Sequence, residues 1–185
     1  TTLIQAGANI EQNDIYGWTP LIRAVHLKKT NTLEGLISLG ANVNAQDKKG
    51  WAALHHAVSP VRKKEALEEE QQRKQDAIDI IKKTNTISEF KQATQANQNI
   101  QIVLTLIQHG ANLEAKNLRL RTPLYVAVSY QELLTTAALL YTGSHVDAYA
   151  FNNWTPLYRA VSEGNIPLVK LLLKFQPSVN HKTTK

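Results

Sequence analysis

The chain of 185 residues repeats itself. Four segments align on one pattern: Gly17-Trp18-Thr19-Pro20-Leu21, Gly50-Trp51-Ala52-Ala53-Leu54, Leu120-Arg121-Thr122-Pro123-Leu124 and Asn153-Trp154-Thr155-Pro156-Leu157. Thr19 and Ala52 stand 33 residues apart, as do Thr122 and Thr155. Ala52 and Thr122 are 70 apart, which is one more period plus an insertion of 37. A second marker keeps the same phase: Gly7-Ala8-Asn9-Ile10, Gly40-Ala41-Asn42-Val43, Gly110-Ala111-Asn112-Leu113 and, more weakly, Gly143-Ser144-His145-Val146. A fixed period of this length restricts the chain to a stack of supersecondary units. Each is too small to bury its own apolar side, so each is stabilised by its neighbours.

Local chemistry describes the unit. Thr19, Thr122 and Thr155 stand where a hydroxyl can accept from an orphan N–H at a helix start. Pro20, Pro123 and Pro156 then occupy the first helical position, where a missing N–H costs nothing. Leu21, Ala24 and Val25 share one helical face, as do Leu157, Ala160 and Val161, and the small Ala lets paired helices approach. Gly40 and Gly110 end second helices at a left-handed position.

A 33-residue period with a Thr-Pro-Leu signature resembles the ankyrin repeat. The resemblance implies an all-α solenoid of helix-turn-helix repeats with short finger turns. The repeats fall at 13–45, 46–115 (with the insertion), 116–148 and 149–181, and residues 1–12 are the remnant of a preceding repeat. Two departures stand out. The family's His three residues after the Thr never meets its Thr here, since the pairs read Thr19/Ile22, Ala52/His55, Thr122/Tyr125 and Thr155/Tyr158. Each lost bond costs about 1 kcal/mol. Leu120 replaces a turn glycine, and the strain of a positive φ at Leu predicts a different shape for that finger.

The insertion, residues 60–99, reads as an antiparallel helical hairpin. Ser59-Pro60 has the form of a helix start, and Val61 to Lys83 is rich in strong helix formers. Thr86-Ile87-Ser88-Glu89 has capping-box spacing, so helices are expected at about 60–83 and 87–109, each roughly 35 Å long at ~1.5 Å per residue. Apolar residues gather at the far tip (Ile78, Ile81, Ile87, Phe90). Two readings stay open: a solvated elaboration, or an arm whose tip contacts a partner or another domain.

No chemistry of catalysis is legible. There is no Gly-rich phosphate loop, His-Glu-x-x-His motif or Gly-x-Ser-x-Gly elbow, and without Cys there is no thiolate ligand or nucleophile. His55 and His56 are adjacent, hence about 100° apart on a helix, which is unsuited to chelation. No metal or other cofactor and no small-molecule substrate is expected. No apolar run reaches the roughly 20 residues that span a bilayer, so no membrane insertion is expected either. The missing Met and the outer-helix remnant at the start read as a piece of a longer protein, and the zero Cys count as a cytoplasmic one.

Recognition is therefore the expected role. Trp18, Trp51, Arg121 and Trp154 occupy equivalent positions, which stacking would set in a row along the finger edge. Tyr16, Lys48, Lys49, Arg119 and Phe151 flank them. Arg23, His26 and Arg159 lie on inner-helix faces opposite the buried stripe, with Tyr130 at the end of the third inner helix. The resemblance implies that finger tips and concave inner helices bind a partner protein. The net charge of +6, of which the insertion holds only +1, points to an acidic segment with apolar anchors. An alternative is the recognition part of a larger enzyme or of a translocated bacterial effector acting in the host cytosol. Nucleic-acid binding is disfavoured, since no recognition helix or stacking motif accompanies the charge.

Overall fold

The computed structural model describes residues 7–59 and 67–178. Residues 1–6 of the leading remnant, the expected helix start at Pro60 with Val61, and the end of the fourth repeat from residue 179 lie outside them. Among the described residues the α-helices are α1 (Pro20–His26), α2 (Thr30–Ser38), α3 (Ala53–Val58), α4 (Leu67–Lys83), α5 (Ile87–Ala93), α6 (Gln98–Gln108), α7 (Pro123–Ser129), α8 (Leu133–Tyr141), α9 (Pro156–Ser162) and α10 (Ile166–Lys174). Inner helices α1, α3, α7 and α9 stack in one layer. Outer helices α2, α6, α8 and α10 form a second layer behind them. The core is the seam between the layers, filled by Leu21, Leu54, Leu106, Leu124, Leu139, Leu168 and Leu172.

The caps work as the residues dictate. Thr19, Thr122 and Thr155 accept from the N–H three residues on, at 3.2–3.3 Å. The second repeat has Ala52 instead, and His55 substitutes for the missing hydroxyl differently. Its Nδ1 accepts from the Ala52 N–H at 3.2 Å, and its Nε2 donates to the Arg121 carbonyl of the next finger at 2.9 Å. The buried ring thus ties a helix start to its neighbour, a structural role.

The fingers form a continuous ladder. Lys48 N–H donates to the Tyr16 carbonyl (3.2 Å), Leu118 to Lys49 (3.1 Å) and Phe151 to Arg119 (3.4 Å). Gly17 and Gly50 permit this approach: a Cβ there would lie 2.8 Å from Lys48 N and 2.9 Å from Leu118 N, at φ of +82° and +73°. Leu120 corrects an expectation. It takes the same left-handed turn (φ 57°) rather than a new shape, at a cost on the order of 1–2 kcal/mol. The turn persists because Asn117 Oδ1 accepts from Arg119 N–H and Arg121 N–H at 2.9 and 3.1 Å. On the opposite edge, each repeat passes an acceptor to the next: Glu11 to Asn42 N–H, Asn44 to Asn112, Glu114 to His145 and Asp147 to Ser178.

The insertion is a pair of helices, α4 and α5, joined by a short turn, but its limbs and tip differ from the expected ones. Its second limb is not one helix to residue 109. α5 ends at Ala93, the backbone turns through Thr94 to Asn97, and α6 restarts with the Asn97 side chain capping Ile100 N–H at 3.1 Å. α6 is the outer helix of the second repeat, and with eleven residues it is two longer than α2, α8 and α10. Nor does the tip project. α4 and α5 lie across α8. Phe90 is fully buried, Ile81 and Ile87 pack on the core, and Ile78 is half-buried. The tip contacts its own chain.

Candidate partner-binding surface

Two clusters line the finger side. The first joins repeats 1 and 2. The half-buried Trp18 ring packs against His26 (centroids 4.7 Å) and His56 (5.1 Å), and Trp51 meets the other side of His56 at 5.3 Å. Arg23 lies over Trp18 at 5.4 Å, and exposed Tyr16 is 6.3 Å from it. His56 Nε2 donates to Asp47 Oδ2 at 3.0 Å. Burial holds His56 below the ordinary imidazole value despite that carboxylate, so the bond is one from neutral imidazole to carboxylate rather than an ion pair. Asp47 also accepts, through Oδ1, from Lys49 and Trp51 N–H at 2.8 and 2.9 Å, which fixes finger 2.

The second cluster joins repeats 3 and 4. A cleft of about 320 Å³ opens between their fingers, lined by Arg119, Arg121, Tyr125, Phe151, Trp154 and Arg159, with Leu118 and Ala150. The Arg121 guanidinium lies 5.5 Å over the Tyr125 ring, and Trp154 packs on Tyr158 at 4.9 Å. Arg159 pairs with Glu163 at 2.5 Å, yet its buried Nε has no hydrogen-bond partner. Burial pushes the Tyr125 phenol up, opposed by the charges of Arg121 and Arg159. Leu118 and Phe151 are 77% and 69% exposed, so each finger tip presents an apolar side chain.

The predicted site residues divide accordingly. Tyr16, Trp18, Arg23, His26 and Trp51 fall in the first cluster, with Lys48 and Lys49 exposed on its finger; Arg119, Arg121, Phe151, Trp154 and Arg159 fall in the second. Tyr130 joins neither: it follows α7 at the end far from the finger, half-buried against the core. Reasoning from sequence missed the turn acceptors Asp14, Asp47 and Asn117, although each stands four residues before the Trp or Arg position. It also missed Tyr125 as a wall of the cleft. Among the described residues no three His, Asp or Glu are placed to hold a metal, and no helix is long and apolar enough to cross a membrane.

Stacked helix pairs, laddered fingers and an open aromatic and cationic face define a repeat solenoid built for recognition. The match to known families agrees: residues 1–68 and 90–183 fit the family described as ankyrin repeats (3 copies), and the chain belongs to that family. The unmatched stretch between them holds most of α4 and the turn after it. Similar curated proteins include XBAT34 of Arabidopsis thaliana, provisionally named an E3 ubiquitin-protein ligase, at 40% identity over 42% of this chain and 22% of that protein. Human ankyrin repeat and SOCS box protein 5 is 35% identical over 43% of this chain and 24% of its own length. Tyrosine-protein kinase HTK16 of Hydra vulgaris is 33% identical over 45% of this chain and 11% of its own. The chain therefore matches at most a quarter of these relatives. Ankyrin repeats are protein-interaction modules, generally without catalytic activity of their own.

Proposed function

We propose that this chain binds a partner protein through its finger tips and the concave face of its inner helices, and that the bound segment is acidic with apolar anchors. The observation that carries this reading is the surface itself. Exposed Tyr16, Leu118 and Phe151 alternate with Lys48, Lys49, Arg119 and Arg121 along one laddered edge. Aromatic and Arg side chains dominate binding hot spots, and the uncompensated positive charge selects acidic segments. The test replaces Trp51 and Arg121 together by Ala and measures affinity for partners captured from lysate. Binding is expected to weaken at least tenfold with unchanged far-UV circular dichroism. Undiminished affinity would remove this surface from the interaction.

A second reading follows from the relatives whose names denote a ligase and a kinase: the chain is the recognition part of a larger enzyme. The parent reading frame decides it, a catalytic domain beyond either end supporting it and its absence removing it.

A further inference from the structure

Charge in the cleft between the third and fourth fingers is unbalanced. Three guanidiniums line it, and among the described residues only Arg159 has a carboxylate partner, Glu163. The Arg121 guanidinium lies over the ring of Tyr125, a contact that restricts its freedom. Arg159 Nε–H is buried without an acceptor, so one donor of its fork is desolvated and unused. Like charges gathered at one cleft repel, and a bound oxyanion relieves that repulsion while accepting from forks already in place. The walls add a second requirement. Phe151 and Leu118 stand exposed at the rim and Trp154 lies half-buried below, which suits an apolar side chain beside the anion.

We propose that this cleft is an oxyanion subsite: it takes a carboxylate or phosphate side chain of an extended peptide segment, with an adjacent apolar side chain laid on Phe151 and Leu118. The assignment rests on the finger side being the partner-binding surface and adds which part of it reads the charge. The first repeats do not offer the same chemistry, because Arg23 is the one guanidinium in that cluster and the buried Asp47 carboxylate already sits there, on His56. Peptides are favoured over nucleic acid because the cations along the finger edge are interrupted by the exposed apolar tips Leu118 and Phe151, which suit a mixed acidic and apolar segment better than successive phosphates.

The test selects random twelve-residue peptides displayed on phage against the whole chain, then remakes the best binder synthetically for titration. Enriched peptides are expected to carry Asp or Glu next to Leu, Ile or Phe. Changing that acid to Gln is expected to raise Kd at least tenfold. Arg119→Gln combined with Arg121→Gln is expected to abolish the difference between the two peptides, while Arg121→Lys, which keeps the charge but loses the fork, leaves an intermediate one. Phosphoserine in place of the acid separates the sources: tighter binding assigns a phosphate and weaker binding a carboxylate, and either supports the subsite. Because Arg121 lies against Tyr125, unchanged far-UV circular dichroism and Tm of the double variant check that folding is intact, and the single variant Arg119→Gln, on an exposed tip, is expected to raise Kd about threefold. Binders that contain no acid, or that ignore the arginine variants, overturn the subsite while leaving the finger-side reading standing. If no peptide is enriched over an unrelated helical protein, both fall.

Discussion

At the scale of single residues, the structure substitutes rather than omits. Where Ala52 cannot cap α3, His55 does, but only in one protonation state. With Nε2 protonated and Nδ1 bare, both ring nitrogens are satisfied; a second proton would set two N–H groups against each other at Ala52. Desolvation by burial is the largest cause that lowers the His55 value, as it is for His56. Both folded values lie below the ordinary 6.5, so the unfolded chain binds protons more readily. Stability from these rings is therefore complete above about pH 6.5 and is lost as pH falls from there toward the folded values, by up to about 1.4 kcal/mol per pH unit for each ring. Thermal unfolding is expected to show a plateau in Tm near pH 7–8 and a decline between pH 6.5 and 5. Long-range nitrogen NMR at pH 7.5 is expected to find both rings neutral with Nε2 protonated; the Nδ1-protonated tautomer or an imidazolium pattern there would contradict the arrangement. The caps and the row of Trp and Arg positions were legible in the sequence because they depend on a few neighbouring residues and one period. The cleft was not. Tyr125 and Arg159 reach it from helices whose rotation against the fingers depends on packing.

At the scale of elements, the insertion shows what local pattern leaves open. The capping box at Thr86 and Glu89 forms as its spacing predicts, with Thr86 Oγ1 accepting from Glu89 N–H at 3.2 Å and the Glu89 carboxylate accepting from Thr86 N–H at 3.3 Å and also from Asn85 N–H at 2.7 Å. Helix formers alone do not say where the helices go. A usable signal lay elsewhere: α8 reads Leu-Leu-Thr-Thr-Ala-Ala-Leu-Leu-Tyr, without a charge on any face, and a helix apolar all round must be covered on all sides. α4 and α5 are that cover. The turn between them is fastened at one point, where Tyr141 Oη donates to the Thr84 carbonyl at 2.8 Å and Lys174 Nζ donates to the same carbonyl at 3.1 Å and to Asn85 Oδ1 at 3.0 Å. A cation at the C-terminal end of α4 also meets the negative end of its dipole. Phe90, Tyr141 and Phe175 form an aromatic file through this point, at 5.5 and 5.4 Å. Phe90→Ala is expected to cost about 3–5 kcal/mol of that docking. Hydrogen exchange would localise it: α4 and α5 amides should lose protection while α1 to α3 keep theirs. Equal protection in both proteins would mean that the tip is held by something other than Phe90.

At the scale of the whole molecule, ladders on both edges make each repeat depend on the next, and the insertion adds a link that skips the sequence order. Through Tyr141 and Lys174 it joins the second repeat to the outer helices of the third and fourth. The insertion and the finger surface lie on opposite layers, one behind the outer helices and the other on the inner ones. Cover and recognition should therefore separate in one experiment. Deleting residues 62–96 leaves Ser59 to Val61 and the Asn97 cap, a connection one residue longer than the three residues that join the inner and outer helices of the other repeats. The shortened chain loses the cover of α8, and an apolar helix face newly in water drives dye binding and self-association. It is expected to bind an apolar dye several-fold more strongly and to sediment partly as dimers, while its affinity for peptides selected on the intact chain stays within about threefold. A monomer without added dye binding that has lost those peptides would reverse the assignment and make the insertion the docking element. The physical reason to expect the first outcome is the burial of Phe90: a side chain already enclosed by its own chain has no surface left to offer a partner.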